Sequence, residues 1–387
     1  MKKPIYLDHA ATSAPKPERV ARRVHDYLLN EGLSAGRGGY ERAMQIGREI
    51  ENGRALLAKL LNAESASRIV FTGGGTEALN IALLGFLQQG DHVVVSTLEH
   101  NSVLRPLNML ETKRGVRFSY VHPDEQGIVA AEKLIAACLP ETKLICCLHA
   151  SNVTGVIQPI EELCRRARTL NIATLIDAAQ TVGHLPIDLQ SIDCDFLAAP
   201  CHKGLQAPLG SGFLYLRPEM EEHVLPLHLG GTGTQSELAT QPVELPAKYE
   251  SGSLAVPALL GLSAALCEIT NESIRQDFEK RKQLSKWCLD GLAEIESVII
   301  YPRSLSEHNR IDVISFNLQD QDPRIVGTIL DQHFQIEVRT GFHCAPLVHE
   351  DLGTTELGGT IRVSLGSTTT EEDVETFLDA IRQISGI

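Results

Sequence analysis

No apolar run approaches the ~18 residues that a membrane-spanning helix needs anywhere in the 387-residue chain. Basic side chains are few and dispersed: 35 Lys and Arg stand against 49 Asp and Glu, for a net charge of −14. With no long basic run, nucleic acid is not the expected partner. The nine cysteines hold no CxxC pair and no regular spacing, which argues against a disulfide framework and against a structural zinc site. A reduced, cytoplasmic interior without a bound metal is the expectation. Lys2 and Lys3 could open a signal peptide, but Pro4–Leu7 runs straight into Asp8-His9, so no apolar h-region follows. Low-complexity tracts and internal repeats are also lacking. What is abundant is apolar side chain, 43% of the chain, which rules out a disordered protein and supplies core for two or three domains.

Short apolar runs near 69–71, 92–95, 116–121, 144–148, 173–176, 196–199 and 213–216 alternate with helical patterns such as 77–87, 102–114, 130–138 and 160–170. Such alternation predicts an α/β domain with a mostly parallel seven-stranded sheet covered on both faces. A polar, glycine-rich stretch at 229–252 follows. Beyond it, a long helical pattern over 257–294, strands near 297–300, 312–317, 335–339 and 360–365, and a final helix at 371–384 predict a smaller α+β domain. The expected division is an N-terminal arm at 1–12 that packs on the small domain, a large domain at 13–256 and a small domain at 257–387.

Ligands of such sheets bind beyond the carboxyl ends of the strands, and several polar residues fall there. Asp177 and Lys203 each follow an apolar run and lie 26 residues apart. Together they suit pyridoxal phosphate: a lysine holds the aldehyde as a Schiff base, and a carboxylate keeps the pyridine nitrogen protonated. The strand-to-helix turn Thr72-Gly73-Gly74-Gly75-Thr76 suits the phosphate, because glycines admit backbone N–H groups close to an anion at a helix start. Alone, this turn equally serves any tight connection. It matches neither GxxxxGK[ST] nor GxGxxG. His100, after the strand at 92–95, is placed to stack on a pyridine ring, and Asn152 and Gln180 are the amides within reach of a ring hydroxyl.

These residues lie in segments that resemble a known family. YLDHAAT (6–12), FTGGGTEALN (71–80), LEHNS (98–102), SNVTG (151–155), DAAQ (177–180), HKGLQAPLGSG (202–212) and RTGFHCAP (339–346) resemble, in order, cysteine desulfurases and selenocysteine lyases. Those are class V aminotransferase-like pyridoxal enzymes of fold-type I. The resemblance implies that Lys203 carries the cofactor, Asp177 pairs the ring nitrogen, His100 stacks on the ring, and Gln180 and Asn152 meet its hydroxyl. It also implies phosphate contacts from Gly75, Thr76, His202 and Cys201. Cys201 stands where the family usually has serine, and a thiol is a weak donor.

For the reaction, the resemblance implies a homodimer in which Ser253, within Glu250-Ser251-Gly252-Ser253, reaches the partner's phosphate. Cys344 would take sulfur from cysteine as a persulfide, leave alanine and pass the sulfur to an acceptor protein. A thiol flanked by Arg339, Gly341, His343 and Pro346 is placed for reactivity, whereas the other eight cysteines sit mostly in apolar patterns. Arg362 would grip the substrate carboxylate as a bidentate guanidinium, with Arg339 as a second, and Ala11 and Asn152 beside the substrate. Selenocysteine lyase is the nearest alternative. An aminotransferase or C–S lyase of the same fold comes next.

Overall fold

The computed structural model describes residues 4–35, 39–233, 237–304 and 309–386. Residues 1–3 of the expected arm, 234–236 of the glycine-rich stretch and 387 lie outside the described residues. In chain order the strands are β1 (Ile5–Tyr6), β2 (Ile69–Thr72), β3 (His92–Ser96), β4 (Arg117–Val121), β5 (Thr142–Leu148), β6 (Ala173–Asp177) and β7 (Phe196–Pro200). They continue with β8 (Gly212–Leu216), β9 (Val298–Tyr301), β10 (Val313–Leu318), β11 (Ile336–Glu337), β12 (Arg339–Gly341) and β13 (Thr360–Ser364).

Seven strands form one sheet in the order β2-β8-β7-β6-β5-β3-β4. Its pairings are parallel from β7 across to β4, and only β8 runs against its neighbours. Successive side chains alternate between two cores. Val93, Val95, Leu144, Cys146, Leu175 and Phe196 pack on one face, and Val94, Ile145, Cys147, Ile176 and Leu197 on the other. Burial on both faces is why these strands read as continuous apolar runs and not as an alternation. Each fully buried aliphatic side chain contributes ~1.5–3 kcal/mol.

A second, antiparallel sheet runs β12-β13-β10-β9. Its core joins Phe316, Ile361 and Val363 to Leu284 and Leu292 of helix Asn271–Ala293 and to Phe377 and Leu378 of helix Glu371–Ser385. Leu7 sits in the same cluster. Next to it, β1 pairs in parallel with β11, and Ser364 N donates to Leu7 O at 2.8 Å.

Two sequence expectations change. The helical pattern over 257–294 is two helices, Val256–Leu266 and Asn271–Ala293. A capping box formed by Thr270 and Ser273 starts the second one, because it satisfies backbone N–H groups that an uninterrupted helix would have bonded internally. The expected strand at 335–339 splits at Val338, since β11 joins β1 whereas β12 joins β13.

Candidate active site

Because β2, β3, β5, β6 and β7 point the same way, their carboxyl ends share one edge, and a cavity of about 770 Å³ opens there. The first wall comes from this edge. Helix Gly75–Phe86 begins directly after β2 and its glycine turn, with no side-chain cap on its N-terminus, so its first N–H groups face the cavity unspent. Gly75 has to be glycine: a Cβ there would meet Pro200 Cδ at 2.9 Å and Pro200 N at 3.2 Å. Thr76 Oγ1 lies 2.8 Å from Ser102 Oγ, which lies 2.9 Å from His100 Nδ1.

His100 caps helix Asn101–Arg114: its Nδ1 accepts from Ser102 N at 3.0 Å. An Nδ1 that accepts is unprotonated, so the ring is neutral with its proton on Nε2. Burial, then the charges of Lys203 and Arg339, hold this imidazole down at about 4. Asp177 is the last residue of β6, and its Oδ1 accepts from Ala179 N at 2.9 Å. Burial pushes its carboxyl up, whereas the Ala179 N–H and the Lys203 charge pull it down. Lys203 follows β7, and burial lowers its ammonium to about 8, with Asp177 opposing.

Behind Asp177 lies Glu99, fully buried, whose Oε1 accepts from Leu148 N at 2.7 Å and from Ser96 Oγ at 3.0 Å. Burial, then the charge of Asp177, pushes its carboxyl up to about 8. It therefore stays protonated at neutral pH, and no second negative charge stands beside Asp177.

The second wall comes from the smaller sheet and the chain start. Arg339 and Arg362 sit opposite each other on β12 and β13. Arg362 is 1% exposed; its Nη2 donates to Asp8 Oδ1 at 2.6 Å and its Nη1 to Asn152 O at 3.0 Å, while Nε has no partner. The bidentate grip expected of Arg362 is therefore already engaged, because a buried guanidinium requires a counter-charge. Arg339 Nη2 donates to Cys344 Sγ at 3.3 Å. His343 and Cys344 both hold positive φ, 49° and 61°, a conformation uncommon outside glycine. The loop is anchored from the first wall: Asn101 N donates to Cys344 O at 2.7 Å and Asn152 Nδ2 to His343 O at 2.7 Å. Asp351, in the helix that follows, accepts from Thr97 Oγ1 at 2.5 Å and pairs with His122 Nδ1 at 2.7 Å.

Of the residues singled out in the sequence, Gly75, Thr76, His100, Asn152, Asp177, Gln180, His202 and Lys203 line the cavity, together with Ala11, Arg339 and Arg362. Gln180 turns its Nε2 to Ala10 O at 3.1 Å. Three stand outside it. Cys201 is fully buried in the core behind the sheet edge, so its side chain does not face the cavity expected to take a phosphate. Ser253 lines a separate cavity with Tyr27 and Leu33. Cys344 lies behind the Arg339 guanidinium. Asp8, Glu99, Ser102 and Asp351 were missed. Asp8, Glu99 and Ser102 fall inside the quoted motifs, but nothing in their spacing gives their partners.

The chain belongs to the class-V aminotransferase family, whose model matches residues 5–377. Within that class it is similar to proteins carrying one more specific name. A probable cysteine desulfurase of Methanothermobacter thermautotrophicus is 33% identical, over 99% of this chain and 95% of that protein. One of Pyrococcus abyssi is 34% identical, over 98% and 94%. The apo structure of cysteine desulfurase from Thermococcus onnurineus NA1 superposes with a TM-score of 0.91 at 31% identity, covering 99% of this chain and 95% of that one.

Proposed function

We propose that this protein is a pyridoxal-phosphate-dependent cysteine desulfurase that moves sulfur from L-cysteine to Cys344 and releases L-alanine. The observation that carries the reading is the meeting of two walls: Lys203 and Asp177 on the sheet edge, and a thiol 3.3 Å from a guanidinium on the loop that edge anchors. The residues fit the cofactor. Asn152 Oδ1 is buried in the cavity wall with no partner, an acceptor for a ring hydroxyl. The uncapped helix start at Gly75 suits a phosphate. Asp177 offers a carboxylate for the ring nitrogen, and a lysine lowered to about 8 supplies the free amine that covalent attachment needs.

When bound, pyridoxal phosphate withdraws electrons from the α-carbon of the amine it holds. Lys203 Nζ, as the free amine, would take the proton from that carbon. His100, neutral and fixed by Ser102 N, presents Nε2–H to the cavity. Arg339 receives the substrate carboxylate, and Arg362 joins it by releasing Asp8. Cys344 Sγ attacks the substrate sulfur: an S–S bond forms, the Cβ–S bond breaks, and its electron pair returns to carbon, which takes up a proton and leaves as alanine. The Arg339 N–H at the sulfur favours this nucleophile.

The wider reading is a cytoplasmic homodimer with the arm at 1–12, the large domain at 13–256 and the small domain at 257–387. Ser253 reaches the partner's phosphate, and an acceptor protein takes the persulfide. Nine unpaired thiols support a reducing compartment. Product analysis tests the reaction: alanine with an enzyme-bound persulfide is expected from L-cysteine. Pyruvate would point to a C–S lyase, a requirement for a keto acid to an aminotransferase, and activity confined to selenocysteine to the lyase of that amino acid.

A further inference from the structure

The carbonyl oxygen of His202, in the peptide bond that joins it to Lys203, is surrounded by donors from the chain start. Ser13 N lies at 3.2 Å, Ser13 Oγ and Thr12 Oγ1 each at 3.1 Å, and Lys16 Nζ at 2.6 Å. Two lone pairs on a carbonyl rarely collect so many donors. Lys16 spends its remaining N–H groups on Ser13 Oγ at 2.8 Å and Thr12 Oγ1 at 3.2 Å. All three of its acceptors are thus neutral oxygens, and the half-buried ammonium meets no carboxylate among them. Lys16 and Lys203 also line one further cavity of about 360 Å³, distinct from the site already described, with His184 and Asp277.

A charge held without a counter-ion next to a reactive group acts on that group through its field. Burial lowers the Lys203 ammonium first; among the charges around it Asp177 and Asp8 favour the ammonium, whereas Arg362 and Arg339 oppose it. The histidines facing it, His100, His184 and His202, are held neutral by burial. Across the smaller cavity, Lys16 faces His9, His184, Asp277 and Glu18, and its charge also reaches the His202 ring. The Lys16 charge, held 2.6 Å from the His202 carbonyl, adds to the side of Arg362 and Arg339.

We propose that Lys16 is a positioning residue for Lys203: it fixes the peptide that carries the lysine and sets a positive charge there that favours the free amine. The inference rests on Lys203 being the lysine that holds the cofactor. Burial also lowers Lys16 itself, to about 8, so most of its charge is present at neutral pH and it is lost as pH rises through 8.

The test measures Lys203 in the protein without cofactor. Acetylation of the Lys203 peptide by acetic anhydride, followed by mass spectrometry across pH, gives the midpoint at which the amine becomes reactive. Lys16→Met and Lys16→Gln should each raise that midpoint by about half a unit or more, and Lys16→Arg should leave it within about 0.2 of the parent value. In the holoprotein, the pH midpoint of the visible absorption of bound cofactor should move the same way, with kcat for cysteine reduced and KM nearly unchanged. Lys16→Gln keeps a donor to the carbonyl, so it carries the test if the Met variant does not fold. Unmoved midpoints in the Met and Gln variants, even with a lower melting temperature, would overturn the proposal, as would an Arg variant that shifts as far as Met. A wrong assignment of Lys203 reads out separately: borohydride would fix the cofactor to another lysine in the parent protein as well.

Discussion

The two walls of the cavity are held together by different kinds of contact. On the wall built by the seven-stranded sheet, key side chains are fixed locally: Asp177 by Ala179 N and His100 by Ser102 N, each two residues away. On the wall built by the smaller sheet, the contacts span the chain. Arg362 and Asp8 are 354 residues apart, Thr97 and Asp351 are 254, Arg362 and Asn152 are 210, and Asn152 and His343 are 191. Strand ends and helix starts set the first wall. The second exists only while the four-stranded sheet and the chain start stay docked against the first. Chemistry that needs the cofactor alone belongs to the first wall, and chemistry that needs Cys344 belongs to both.

The largest effect should come from Lys203→Ala. Borohydride should no longer fix cofactor to the chain, and alanine formation should fall ~10³-fold or more, while the rate of Cys344 alkylation stays near that of the parent protein. A large change in that alkylation rate would mean that the walls are not independent. Asp351→Ala should do the opposite, and more mildly. It frees Thr97 and His122 from the helix after the thiol loop, so turnover should fall roughly tenfold through misplacement of the nucleophile, with cofactor stoichiometry by absorbance unchanged. Loss of cofactor in this variant would break the comparison.

A smaller effect concerns acid. Burial holds His100 and His202 down at about 4 in the cavity, and His149 and His349 at about 4 outside it. A histidine lowered on folding binds fewer protons than its unfolded form, whose value is 6.5, so its stabilisation is complete above 6.5 and is lost as pH falls towards 4. Glu99 works the other way: raised to about 8, it contributes stability at low pH that is lost as pH rises through 8. Burial also lowers His9, His92, His184 and His343 and raises Asp177 and Glu250; with imidazoles in the majority, the melting temperature of the cofactor-free protein should drop by roughly 5 °C or more between pH 7 and 4.5. Scanning fluorimetry with a flat profile over that range would contradict the assigned protonation states.

The same contrast explains what the sequence revealed. Apolar runs located all seven strands of the large sheet to within a residue or two, and the direction of a strand decides where the next polar residue falls, so Asp177, Asn152, His100 and Lys203 were readable from pattern alone. Cys344 and Arg362 needed the family resemblance. Asp8, which occupies Arg362, and Lys16, which holds the carbonyl before Lys203, were not readable at all, because a one-dimensional pattern carries no information about partners 354 or 186 residues away. For Cys201 the resemblance implied a phosphate contact, whereas the side chain turns into the core. The split at Thr270 shows that a capping box can interrupt an apolar period that otherwise continues.

The most direct test of the central claim uses Cys344→Ser, which changes one atom on the second wall and none on the first. The variant should bind pyridoxal phosphate at the parent stoichiometry and exchange the α-proton of L-cysteine with solvent deuterium, because Lys203 and Asp177 are intact. Alanine formation should fall ~10³-fold or more, since a hydroxyl in the same position is a far weaker nucleophile and forms no stable persulfide. The parent protein, stopped during turnover, should carry one additional sulfur on the peptide containing Cys344. Alanine released by the serine variant at the parent rate, with no added sulfur on that peptide in the parent, would contradict the account.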